Sequence, residues 1–358
     1  MRYDADIIVA GAGLAGACAA FTLSRHHQVH VLESEEPASG ASGAAAGLVN
    51  PFMGRRARPV WRLHEALDAV PSLLERADAA ELFPDTGVLR PAVEPDQVAP
   101  FRAAAEDHPD LATWLPPGAV QDRFPAARPD RGALFVPRGG AVNVEAMVDA
   151  LLDAAQARGA TIETQAPVLY WRETPGAAVV EVDRGDDTED LRADRVLLAL
   201  GQGFPPFPEL RRLGLDGVKG QTVRVRRPDS LSGSLPPMSG RGYVVPEGNT
   251  LVLGSNYDND YDDLAPDPDA TAYIQEKTST MIESLTQAEV LHEVAGVRVK
   301  HPETNRPLLG PLPRRERIWS FTALGSKGLL TAPLLALHLS TYLNAPTKIP
   351  EAVSTCDE

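Results

Sequence analysis

The chain of 358 residues is longer than one ordinary hydrophobic core supports and suits two intimately joined domains. A formal net charge of −15 and a pI near 5.0 argue against a phosphate backbone as principal partner, since such binding rests on Lys and Arg neutralising phosphates; a small-molecule substrate is expected. Two cysteines, Cys18 and Cys356, give no disulfide framework and no metal-ligand spacing, and the histidines, including His26, His27 and His30, form no metal pattern.

The first element is a buried-strand run, Ile7 to Ala10, leading straight onto Gly11-Ala-Gly13-Leu14-Ala15-Gly16. In this G-x-G-x-x-G turn Gly11 permits the tight bend, Gly13 lets the backbone approach a pyrophosphate, and Gly16 allows close packing of the following helix. Helix-terminal amides then hold the phosphate charge. A helix over Ala17 to Arg25 and a strand over Val29 to Leu32 follow, closed by Glu33, which is placed to accept ribose hydroxyls. This context predicts a bound dinucleotide and leaves NAD and FAD both open. Asp4 and Asp6 stand where a signal peptide carries basic residues, and no stretch is long and apolar enough for a membrane span, so a cytoplasmic protein is expected.

A loop of small residues, Pro37 to Gly47, comes next, and its lack of bulk would let a flat cofactor lie against backbone. Helical patterns cover Val60 to Ala80 and Asp96 to His108, with strand-like pieces at Gly87 to Pro91 and Ala133 to Pro137. Asn143 caps a helix running to Arg158, with Gly159 as its stop signal, and Thr161 to Glu163 restarts a strand. Ala178 to Val182 and Arg195 to Leu200 form a hairpin ending at Gly201-Gln202-Gly203. The block from Val218 to Leu253 is β-rich and reads as the antiparallel sheet of a separate substrate domain. A helix over Ala270 to Leu285, strands at Glu293 to Lys300 and Ile318 to Thr322, and a closing helix over Leu329 to Leu343 complete the pattern. The tail from Pro346 is polar and is expected to be disordered.

Alternation along Glu293 to Lys300 puts Gly296, Arg298 and Lys300 on a face that cannot be ordinary core. Arg298 has the planar fork suited to a carboxylate. Gly325-Ser-Lys327-Gly328 sets a glycine turn between strand and helix, aiming amides at an anion or polarised carbonyl, with Lys327 adding positive charge. The acidic stretch Asp258 to Asp263 imitates a calcium loop, but its sixth position holds Asp263 where glycine is required, and it reads as solvated. Tyr273 to Lys277 matches a Tyr-x-x-x-Lys spacing and reads as coincidence on an exposed helix. No Ser/His/Asp or paired-carboxylate constellation is apparent.

Taken together, the N-terminal fingerprint with Glu33, Ala44-Ala-Ala-Gly-Leu, Pro167-Val168, Leu200-Gly201, Val218-Lys-Gly-Gln, Tyr243-Val-Val-Pro, Gly296-Val-Arg298 and Gly328-Leu-Leu-Thr-Ala-Pro333 resemble, in order and spacing, the D-amino-acid-oxidase-like flavoproteins. Within that superfamily the chain looks like glycine oxidases and is similar to the oxidase half of a bifunctional tRNA wobble-uridine modification enzyme. The resemblance implies a Rossmann-like α/β FAD-binding domain, over 1–85, 140–215 and 291–345, with a mainly antiparallel substrate domain over 86–139 and 216–290, and 346–358 as tail. It implies non-covalent FAD rather than NAD, with the ADP part on Gly11, Gly13, Leu14, Ala15, Gly16, Glu33 and Ser34, and Val168 at the adenine. Ser42, Gly43, Ala45, Ala46, Gly47, Leu200, Gly201, Gly325, Gly328, Leu329, Leu330 and Thr331 would line the rest of the cofactor. Arg298 and Tyr243 would hold a substrate carboxylate, and Lys327 would stabilise the reduced ring. The chemistry implied is hydride transfer from a small amino acid or carboxylate-bearing secondary amine to flavin N5, giving an imine, with dioxygen or another acceptor reoxidising the flavin. A tRNA-modifying oxidase and a flavin-binding protein without turnover remain as alternatives. An oligomer is compatible with all three.

Overall fold

Ala5–Ala10 is apolar on both sides, as a strand covered on two faces must be, and it lies inside a parallel sheet. In the computed structural model, which describes residues 3–355 except Pro129 and Ser232, it pairs in parallel with Val29–Leu32 on one side and Thr188–Leu198 on the other. Thr161–Glu163 continues the sheet beyond Val29–Leu32, and Ile318–Thr322 joins Thr188–Leu198, both in parallel. Leu308–Pro311 closes that edge antiparallel. The Val168–Thr174 and Ala177–Asp183 hairpin pairs with the earlier half of Thr188–Leu198.

Side-chain alternation divides the first strand between two cores. Ile7 and Val9 join the helices Leu14–Leu23, Leu63–Arg76, Val144–Gln156 and Gly328–Ala336, which bury Phe21, Leu67, Leu151 and Leu335. Ile8 and Ala10 pack with Trp171, Val196, Leu198 and Phe204 on the other face. Gly16 is where the first helix meets its strand: a Cβ there would lie 1.8 Å from the Gly11 carbonyl oxygen.

The second sheet has eight strands in the order Val290–Lys300, Asp216–Arg226, Thr250–Gly254, Gly242–Glu247, Met238–Gly240, Val88–Pro91, Ala133–Val136 and Thr113–Leu115. All neighbours run antiparallel except Met238–Gly240 beside Val88–Pro91. Its core, including Leu89, Phe135, Val223, Val244, Leu253 and Ile274, is closed by the helix Pro268–Ser279.

Two boundaries differ from the sequence reading. Val290–Lys300, grouped above with 291–345, is hydrogen-bonded from Lys300 to Val290 along Asp216–Arg226, so it belongs to the second sheet. Only its far end, through Val299, packs under the first. The tail is ordered through Thr355. Ile349 and Val353 are buried in the first core, and Thr355 bonds to the carbonyls of Leu309 and Pro311. The physical reason is an edge strand with spare carbonyls, which the tail covers. Cys356 lies outside the described residues. No helix among the described residues is long and apolar enough to cross a membrane.

Candidate functional site

The parallel strands all end on one side, and the loops leaving them open onto a cavity of about 1220 Å³ whose opposite wall is the second sheet. That exceeds the roughly 300–1,000 Å³ usual for one small ligand. At one end Glu33 is buried and pinned to the glycine turn: its Oε2 accepts the Ala12 amide at 2.6 Å. Its Oε1 accepts Ser34 Oγ at 2.9 Å and the Glu35 amide at 3.1 Å. A carboxylate offers about four acceptor positions, so roughly one is left for a ribose hydroxyl unless Ser34 turns away. No side chain caps the first helix at Gly13, and the Leu14 amide donates to Ser42 Oγ at 2.9 Å, joining the small-residue loop to the helix start.

Gly11, Gly13, Leu14, Ala15, Glu33, Ser34, Ser42, Ala45, Ala46, Gly47, Val168, Leu200, Gly201, Gly325, Lys327, Gly328, Leu329 and Leu330 all line this cavity, as do Tyr243 and Arg298. Three expected residues do not. Gly16 sits behind the turn against the Gly11 carbonyl, and the Gly43 amide is held on Ala38 O at 2.7 Å. Thr331 is buried, with its hydroxyl on Lys327 O at 3.0 Å. Each supports the wall from outside it. Lys327 reaches the wall, but its ammonium donates to Asn305 O at 3.1 Å, and burial followed by the nearby Arg306 lowers its pKa.

At the far end Arg298 lies across Gly220, where a Cβ would stand 1.6 Å from Nη2. Nη2 donates to Ser255 Oγ at 2.8 Å and Asn256 O at 3.3 Å, while the guanidinium stacks over Tyr257 at 4.6 Å. Nη1 is buried with no hydrogen-bond partner among the described residues, a donor that costs free energy until an acceptor arrives. Burial pushes the Tyr243 phenol up to about 12, against the pull of Arg298 and a hydrogen bond with Ser255, so it remains a donor near neutral pH.

Several wall residues escaped the sequence reading. Lys277 faces the cavity rather than an exposed helix surface: Nζ donates to Ser255 O at 2.5 Å and lies 4.9 Å from the Tyr273 ring centroid. Burial, then Arg241 and Arg298, lower its pKa to about 8. Arg90, 3% exposed, donates to Phe52 O and Gly54 O at 2.6 Å each and stacks on Phe101, fixing the loop after Asn50. Its burial lowers its pKa to about 10. The acidic loop is tied to the sheet by Lys219, whose Nζ donates to Ala265 O at 2.8 Å and lies 3.9 Å from Asp263.

A nucleotide-type parallel sheet opening onto a long cavity shared with a second sheet, with a guanidinium at the far end, is the architecture of a flavin-dependent oxidoreductase. The chain belongs to the FAD dependent oxidoreductase family, whose profile matches residues 6–341. It is 31% identical over 356 residues to the tRNA 5-methylaminomethyl-2-thiouridine biosynthesis bifunctional protein of Idiomarina loihiensis, a match covering 95% of this chain and 56% of that protein. Thus the chain spans about half the length of that relative. It is 26% identical to the glycine oxidase of Geobacillus kaustophilus, covering 94% of this chain and 92% of the relative. The crystal structure of that organism's glycine oxidase superposes with a TM-score of 0.84 at 22% identity, covering 98% and 99% of the two chains. Iminodiacetate oxidase from Chelativorans sp. BNC1 gives 0.81 at 22% identity, covering 97% and 98%. FAD is therefore the cofactor, and the pinned Glu33 beside the glycine turn at the first helix fits its nucleotide end.

Proposed function

We propose that the protein oxidises a small amine bearing a carboxylate, with dioxygen or another acceptor taking the electrons. The observation that carries this reading is the buried, unpartnered Arg298 Nη1 beside the protonated Tyr243 phenol, two donors on the second-sheet wall of the cavity. Support comes from the glycine oxidase of Geobacillus kaustophilus, matched over almost the whole of both chains. FAD, when bound, supplies the hydride acceptor. Glu33, the Gly11 to Ala15 turn and the Ser42 to Gly47 loop hold its nucleotide part, and the Gly325 to Leu330 turn with Lys327 holds the opposite end. Arg298 and Tyr243 fix the substrate carboxylate, which sets the distance and angle of the reacting carbon, and orientation of that kind is where much of the rate arises. No protein base is needed if the amine enters neutral.

Purified protein should be yellow, and anaerobic mixing with amino and imino acids should bleach the flavin. Failure of every such amine would defeat the proposal. A second reading rests on the 31% identity to the tRNA-modifying relative: oxidation of a carboxymethylaminomethyl group on a wobble uridine. Net charge of −15 weighs against it as an RNA binder. An unchanged wobble-nucleoside profile in a deletion strain would exclude it.

A further inference from the structure

Beside Ser255 the cavity wall holds a further cation, Lys277, that the carboxylate clamp does not use. Lys277 and Arg298 reach Ser255 from opposite sides. Arg298 crosses from its own strand over Gly220 to the Ser255 hydroxyl, and Lys277 descends from its helix against Gly242 to the Ser255 carbonyl. Gly220 and Gly242 belong to strands that flank Thr250–Gly254 on either side. Gly220 shares a sheet face with Gly254 and Tyr243, whereas the helix of Lys277 packs on the opposite face with Val223 and Val244, so the two cations come to Ser255, just past the strand end, from the two faces of the sheet. The Lys277 ammonium has three N–H groups, of which one is given to Ser255 O and one face is covered by the Tyr273 ring. Among the described residues no carboxylate lies within ion-pair distance of it, and its charged neighbours are both cations, Arg241 and Arg298. Two cations that both end at Ser255 and both line the cavity repel each other, and an anion at each relieves that cost.

We infer that Lys277 forms a subsite for a second carboxylate, so that the substrate is a dicarboxylic secondary amine held at one end by Arg298 and at the other by Lys277. This rests on the carboxylate clamp proposed above and names its substrate class. The amine between the two acids is then fixed at both ends, and single-acid amines bind with one anchor missing.

The test uses FAD-loaded protein, calorimetric titration and a matched pair of unreactive ethers, oxydiacetate and methoxyacetate, which differ by one carboxylate. Wild type should bind oxydiacetate about tenfold more tightly or better, the scale of one hydrogen bond to a charged group. Lys277→Gln should reduce that preference to about the statistical factor of two, leave methoxyacetate binding unchanged, and keep full FAD stoichiometry; Lys277→Arg should restore it. No preference in wild type, or an equal loss for both ligands in Lys277→Gln, would overturn the subsite; the latter would place Lys277 on the same carboxylate as Arg298. Methoxyacetate binding without an oxydiacetate preference leaves the clamp standing and refutes the subsite alone. If neither ligand binds wild type, the clamp and the subsite fall together.

Discussion

Replacing Arg298 by alanine removes a guanidinium whose Nη1 is buried and unpartnered at the cavity wall, beside the Tyr243 phenol. Hydrogen bonds to charged groups contribute about 1.5–3 kcal/mol each, and a carboxylate taken by Nη1 with help from Tyr243 should lose about 2–4 kcal/mol. At 1.4 kcal/mol per decade, methoxyacetate affinity should fall about 30- to 1,000-fold. FAD content should not change, because Arg298 leans on Ser255, Asn256 and Tyr257 and on none of the residues around Glu33. Arg298→Lys keeps the charge and loses the fork, so it should fall between the two. The assay is titration of the flavin visible spectrum at fixed ionic strength. A change in Kd below about threefold for Arg298→Ala, with flavin stoichiometry intact, would refute the assignment.

Gly16→Ala should cost about 1–3 kcal/mol and shed FAD, since its Cβ would stand 1.8 Å from the Gly11 carbonyl and displace the turn; flavin content and thermal melts check this. Deleting residues 349–358 exposes the pockets of Ile349 and Val353 and should cost about 3 kcal/mol, read as a melting temperature lower by several degrees with activity otherwise preserved. The preference for oxydiacetate over methoxyacetate should fall as pH rises through about 8. Lys277 is charged below that value and neutral above it, held there by burial, Arg241 and Arg298, while the neighbouring Tyr243 phenol stays protonated to about 12. A ratio that is flat from about pH 6.5 to about 9.5 would contradict this.

The sequence made the nucleotide end legible because its signals are local. Gly11, Gly13 and Gly16 stand at fixed spacing on a strand-to-helix turn, and Glu33 ends the next strand. Arg298 was legible for a similar reason, since period-two alternation put it on a face that no core could accept. Lys277 was not, because a polar helix such as Pro268–Ser279 carries too weak an apolar stripe to show which side docks; Ile274 joins the core that holds Val223 and Val225, and Lys277 reaches past Gly242 to the Ser255 carbonyl. Ser255 and Tyr257 follow the end of a strand in an irregular loop, where spacing carries no information. The sheet membership of Val290–Lys300 and the order of the tail depend on partners about eighty and forty-five residues away in the chain, Asp216–Arg226 and Leu308–Pro311. Gly43 and Thr331, which the resemblance sets among the cofactor-lining residues, are turned behind the wall by a backbone bond and a hydroxyl bond.

The proposed reaction passes electrons to a bound flavin from an amine whose carboxylate is held by Arg298. Its most direct test is anaerobic mixing of the yellow protein with amines in two forms, as free acids and as the corresponding amides. At least one acid should bleach the flavin while its amide, at equal concentration, is slower by about 30-fold or more. Equal bleaching by acid and amide, or a purified protein that carries no flavin, would contradict it.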